Sequence, residues 1–216
     1  MTGYLRSKPH FVLGYNGCDR DVGKAALDSD GPDGLAPAKN GYDWLGSGIY
    51  FWEADPMRAL EWARETNKRH QRREKEKGTP VGLRRPFAIG AIINLGTCLD
   101  LTTVEGVALL TDGYKSFIDD LKEVEKGKRG FKVPKNIVTT EGKTLAYLDD
   151  AVINYTCRLY EEEKGLAIDT VRALFPEGDE VYPGSLFKKK THTQICVRKP
   201  AHSIAAYFRV HGMDFT

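Results

Sequence analysis

Gly46-Ser47-Gly48-Ile49-Tyr50-Phe51-Trp52-Glu53, followed at once by Ala54-Asp55-Pro56, is the stretch around which the chain is organised. It reads as a short buried strand that delivers Tyr50 to a cleft, then an abrupt helix start. Gly46 and Gly48 permit close backbone approach or unusual dihedrals just before the strand. Asp55 supplies an N-cap and Pro56 a first-turn proline, so a helix begins there. Packing of core aromatics would explain an isolated GIYF equally well. Two further segments, near residues 15 and 194, give the stretch a functional meaning.

Working outward, Phe11–Tyr15 reads as a first strand ending at Asn16-Gly17, and Asp19–Leu27 as a short helix. Residues 28–43 form a long loop rich in Gly, Asp, Pro and Asn, of a length often functional. The helix from Asp55 carries Met57, Leu60 and Ala63 at helical spacing; from Lys68 to Lys77 it is charged all round, and Thr79–Gly82 breaks it. Phe87–Ile93 is a buried strand, and Cys98–Leu101 a short extended piece after a turn at Gly96. Amphipathic helices run from Tyr114 to about Gly127 and over Leu145–Leu159, joined by an exposed connection, 126–142. Arg172–Ser185 reads as loop, and Thr191–Arg198 and Ser203–Val210 as closing strands. With helices in the middle and strands at both ends, the class is α+β with a mostly antiparallel or mixed sheet.

The 216 residues, 41% hydrophobic and 29% charged, are most economically one soluble domain, 1–216, with a full core. No apolar run approaches the roughly 20 residues that span a membrane, and no signal peptide is visible. Cysteines 18, 98, 157 and 196 show no metal-ligand spacing, so the expectation is a cytoplasmic protein with core thiols and no metal. The formal charge is +2, but basic residues crowd positions 58–85, interleaved with glutamates, and Lys188-Lys189-Lys190 forms a second cluster.

Tyr15-Asn16-Gly17, Gly48-Ile49-Tyr50-Phe51 and His192-Thr193-Gln194 together resemble the ADP-ribosyltransferases of the diphtheria-toxin and poly(ADP-ribose) polymerase branch. In that branch a His–Tyr–Glu signature surrounds NAD. LGYNGCDRDVG, YDWLGSGIYFWEADPMRALEWA, INLGTCLDL, DTVRALFPEGDEVYPGS and THTQICVRKP are similar to segments of a bacterial, toxin-like subfamily from toxin–antitoxin and phage-defence systems. The resemblance implies a single catalytic domain with a split antiparallel or mixed sheet and flanking helices. It also implies NAD as co-substrate and a cognate antitoxin as partner.

Breaking the glycosidic bond of NAD passes through an oxocarbenium-like sugar, so an enzyme must hold the ribose, clamp nicotinamide and present an acceptor. The resemblance places Tyr50 against the nicotinamide ring, Gly17 against its amide, and Tyr15 and Asn16 around the cofactor; strand alternation adds His192, on the face of Gln194, and guanidinium chemistry adds Arg172 as candidate cofactor contacts. Arg172 suits a pyrophosphate or, equally, a structural salt bridge. Asn16, Tyr50, Gln194 and Glu53 form the catalytic set. Two positions depart from the pattern. Asn16 stands where the family has histidine; it still donates a hydrogen bond, but with shorter reach. That substitution is compatible with natural variation, natural inactivation or deliberate change, and implies weak NAD binding and slow turnover. Gln194 replaces a glutamate and cannot act as a base, which favours single ADP-ribose transfer over chain extension. Glu53 and Glu177 are the remaining candidates for a base, Glu177 equally readable as a solvated loop carboxylate.

For the acceptor, the basic stretches favour nucleic acid, RNA or DNA, slightly over protein. The interleaved glutamates and the lack of aromatics over 63–86 argue against a dedicated phosphate track. The alternatives are a non-catalytic NAD or ADP-ribose binding module and a partner-binding protein that has lost the pocket.

Overall fold

Strand β3 (Pro86–Asp100) is the spine of the molecule, and every other large element packs against it or its neighbours. The computed structural model describes residues 7–29, 34–38, 40–79, 84–127, 132–140 and 144–212. In chain order, β1 (Ser7–Asp19) and α1 (Arg20–Asp28) precede β2 (Ile49–Glu53) and α2 (Pro56–Glu76). After β3 come α3 (Val104–Gly127), the small β4 (Ile137–Val138) and β5 (Thr144–Leu145), and α4 (Tyr147–Lys164). The chain closes with β6 (Thr170–Phe175), β7 (His192–Val197), α5 (Pro200–Ser203) and β8 (Ile204–Arg209).

Six strands form one mixed sheet in the order β1-β2-β7-β6-β3-β8, and β1 also pairs with β3, so the pairings close into a ring. Among the described strand pairs only β3 and β6 run parallel. The class is therefore α+β with a mixed sheet. Residues opposite one another in register share a face, which sorts the side chains. The inner face gathers Phe51, Ile89, Ile93, Ile195, Val197 and Ile204 with Ala26 of α1. The outer face is covered in two patches. Leu99, Val171, Ala173 and Cys196 meet Ile153, Cys157 and Tyr160 of α4; Trp52, Ala88 and Tyr15 meet Ala59 and Leu60 of α2. Each fully buried Ile, Leu or Phe contributes about 1.5–3 kcal/mol.

Asp55 accepts from the Arg58 amide at 2.9 Å and Pro56 opens α2, as the sequence predicts. Other boundaries differ. β1 runs straight through Asn16-Gly17 to Asp19 because β3 pairs along its length, from Phe11↔Asn94 to Asp19↔Pro86. β3 is one strand rather than two: Gly96, at φ +57°, kinks it without turning it, and residues 98–100 continue on to pair with β6. α3 begins ten residues before Tyr114, with the Thr103 hydroxyl accepting from the Gly106 amide. Its opening turns expose Val104 and Val107, which hides the helical pattern. Residues 172–175 are strand, not loop: Val171, Ala173 and Phe175 alternate inward before Pro176 ends the run. Lys199–His202, read as a plain connection, holds the short α5. Residues 30–33 and 39 of the long loop, 80–83 of the helix break, and 128–131 and 141–143 of the later connection lie outside the described residues.

Candidate active site

β1 and β2 pair only through Gly14↔Glu53 and Tyr15↔Trp52. Beyond that point the strands part, β1 staying with β3 and β2 with β7. The Asn16 side chain closes the gap: its Nδ2 donates to the Tyr50 carbonyl at 2.8 Å. Asn16 and Tyr50, distant in sequence, thus meet at the split. Gly17 is buried under α2, where a Cβ would lie 2.1 Å from the Ala59 carbonyl oxygen and 3.0 Å from its carbon. The close backbone approach is that of a helix. Gly17→Ala is accordingly expected to cost about 1–3 kcal/mol, read as a lower thermal midpoint; an unchanged midpoint would show that α2 moves freely. Tyr15 also faces α2, edge-on to Phe208 at 5.9 Å and packed on Trp52.

Between the two helical patches runs a strip of the outer face carrying Tyr50 and Gln194, both partly exposed. Gln194 lies opposite Trp52 on one side and Ala173 on the other. Its side chain makes no hydrogen bond among the described residues. The Tyr50 hydroxyl is spent locally: it accepts from the Leu45 amide and donates to the Gly46 carbonyl, both at 2.8 Å. Burial pushes that phenol far up, so it stays protonated. The tyrosine pins the loop before its own strand, packs on the core beneath and stays partly exposed on the strip.

At the end of the strip stands a cluster that sequence reasoning only partly reached. Arg58, the only buried lysine or arginine among the described residues, donates through Nη2 to both Glu177 oxygens at 2.8 Å. Its guanidinium carbon lies 5.9 Å from the Trp52 ring centre. His192 Nδ1 donates to the Lys190 carbonyl at 2.6 Å and sits 3.7 Å from Glu177 Oε2. Burial, above all, holds the His192 pKa below its ordinary value, and nearby Arg58 adds to this. The ring is therefore neutral, and its Nε2 is a bare acceptor. That atom, Trp52 Nε1, and Arg58 Nε and Nη1 are all buried without a hydrogen-bond partner. Four unmatched polar atoms thus lie together at this end of the strip, where buried polar groups are ordinarily paired. Arg58 was hidden in the sequence as the first of a long basic run that is otherwise exposed.

Glu53 and Arg172 meet on the opposite face. Arg172, in register with Ile195 and Asp100, donates from Nε to Glu53 at 2.7 Å. Its Nη1 reaches Asp100 at 3.3 Å and Thr102 at 3.0 Å. Arg172 is thus a structural salt bridge tying the ends of β2 and β3 to β6. The alternation of β7 brings Gln194 and His192 to the face of Tyr50, while Glu53 and Arg172 share the face of Phe51 and Ile195.

The loop before β2 is held by a polar network. Arg198 donates to Asn154 at 2.8 Å and to the Ser47 carbonyl at 3.2 Å, and Asn154 donates to Asp150 at 3.1 Å. Asp150 is buried with Oδ1 unpartnered, and burial and then Asp43 raise its pKa above the usual 3.8. The folded chain holds this proton more tightly than the unfolded one, so stability falls as pH rises from 3.8 through the raised value. Asp150→Asn keeps an acceptor for Asn154 and removes that loss. Melts from pH 3 to 8 should show the variant gaining on the parent as pH rises; a gap that does not change with pH would contradict this.

A cavity of about 70 Å³ between α2 and β1, lined by Gly17, Cys18 and His70, is far below the size of a dinucleotide site. A broader open hollow of about 610 Å³ lies on the loop after β6, lined by Gly178–Pro183 with Lys188 and Lys189. The four cysteines form no disulfide; Cys98, Cys157 and Cys196 are core side chains, and burial lifts the Cys157 thiol to about 11. Among the described residues no group of three or more His, Cys, Asp or Glu is placed to hold a metal, and no helix is long and apolar enough to cross a membrane.

An uncharacterised protein of the archaeon Methanocaldococcus jannaschii is 26% identical over 218 aligned residues, covering 93% of this chain and 86% of the relative. No protein-family profile matches the chain. No solved structure matches it.

Proposed function

We propose that this chain is an NAD-dependent mono-ADP-ribosyltransferase that moves ADP-ribose onto a macromolecule, acting in the cytoplasm as a toxin or phage-defence effector with a cognate antitoxin. The observation that carries this is the parting of β1 and β2 at Asn16 and Tyr50, with Gln194 on the same strip as Tyr50. In the resembling enzymes, nicotinamide and its ribose occupy the corresponding place. Tyr50 offers an aromatic ring fixed through its hydroxyl, and Gln194 offers an unengaged amide for ribose hydroxyls. Among acceptors, nucleic acid is favoured. Phe187 and Tyr182, 73% and 59% exposed, stand beside Lys188 and Lys189 and add the stacking surface that α2 lacks.

A second reading, a non-catalytic NAD or ADP-ribose binding module, is favoured by one observation: the Asn16 amide is already used inside the protein. NAD labelled on the adenylate, incubated with total RNA, single-stranded DNA or lysate protein, separates the two. The transferase labels one pool, more strongly as Asn16→His. Absence of label in every pool with both folded proteins leaves the binding module.

A further inference from the structure

We propose that Glu177 is the residue that takes the proton from the acceptor, held in place by the buried Arg58; this rests on the transferase reading above. A transferase with glutamine at position 194 needs its carboxylate from elsewhere. Glu53 is engaged by Arg172 on the other face of the sheet. Asp55 caps α2, Glu65 is paired with Lys190 at 2.7 Å, and Glu61 stands 3.8 Å from Arg58 on the outside of the helix. Glu177 differs from all of these. Both its oxygens are gripped by one nitrogen of an arginine that is only 5% exposed, yet its own side chain is 46% exposed. It lies 3.7 Å from His192, which shares a strand face with Gln194 two residues on. A carboxylate fixed from behind by a buried cation and open in front is built to meet a partner from solution.

The proton and electron balance is simple. A bond forms from the acceptor oxygen or nitrogen to C1 of the nicotinamide-bearing ribose as the C1–N bond breaks. The bonding pair leaves with nicotinamide, which becomes neutral, and the acceptor proton passes to Glu177 and on to water. Arg58 is a positioning residue in this scheme.

The test compares Asn16→His with Asn16→His/Glu177→Gln, using labelled NAD and the same three pools, and in parallel azide as the nucleophile. Azide is already an anion and needs no base. Loss of Glu177 should lower macromolecular transfer by about 10²-fold or more, leave NAD affinity within twofold, and leave azide adduct formation unchanged. Transfer that persists undiminished, or a fall in transfer and azide reaction together, overturns the role of Glu177. If the parent itself releases no nicotinamide and forms no azide adduct, the transferase reading fails and the inference with it.

Discussion

Arg172→Met is expected to lower stability by about 3 kcal/mol, because it strands two carboxylates around a space that methionine fills but cannot neutralise. Asp100 is 7% and Glu53 18% exposed, and Arg172 is the cation that both share. For a chain of this length that loss lowers the thermal midpoint by roughly 6–12 °C. Arg172 ties the ends of β2 and β3 to β6, so the damage falls on the sheet itself. The double variant Arg172→Met/Glu53→Gln should cost less than the sum of its parts, since the second change removes a charge that the first left unpaired. Strict additivity would mean that the pair does not interact and that Glu53 is free for another role.

The second large effect concerns Asn16. Its Nδ2 already bridges to the Tyr50 carbonyl, and a histidine Nδ1 stands at the same distance from the backbone as that Nδ2. Histidine therefore preserves the bridge and adds Nε2 beyond it, toward the split. One gained hydrogen bond of about 0.5–1.5 kcal/mol to a ribose hydroxyl corresponds to roughly 2- to 10-fold in NAD affinity or transfer rate. Asn16→Asp does the opposite, setting a carboxylate oxygen against the Tyr50 carbonyl and forcing the strands apart. Titration of NAD into the three proteins should rank them histidine, asparagine, aspartate. Equal affinities would place the ribose elsewhere.

The parts of the fold that carry local chemistry are readable in the sequence. Asp55-Pro56 starts a helix because a cap and a proline act within one turn, and Ile49–Glu53 is a strand because it is mostly apolar, preceded by glycines and ended by the helix cap. Gly96 and Pro176 mislead for the same reason: each punctuates the chain, yet one sits inside a continuous strand and the other just past one. Alternation assigns faces within a strand but not between strands. Register does that, and it puts Gln194 beside Trp52 while placing Arg172 beside Ile195, across the sheet. Gly17, expected to admit a ligand, admits α2. Arg58 is one arginine among many in its helix, and only the packing of α2 on Trp52 marks it out.

On the proposed reading, the split between β1 and β2 handles the nicotinamide end of NAD. Release of nicotinamide from carbonyl-labelled NAD by the Asn16→His protein, with and without azide, tests it most directly. Steady release accelerated by azide is the predicted result. A folded protein that releases no nicotinamide under either condition, at millimolar NAD, contradicts it.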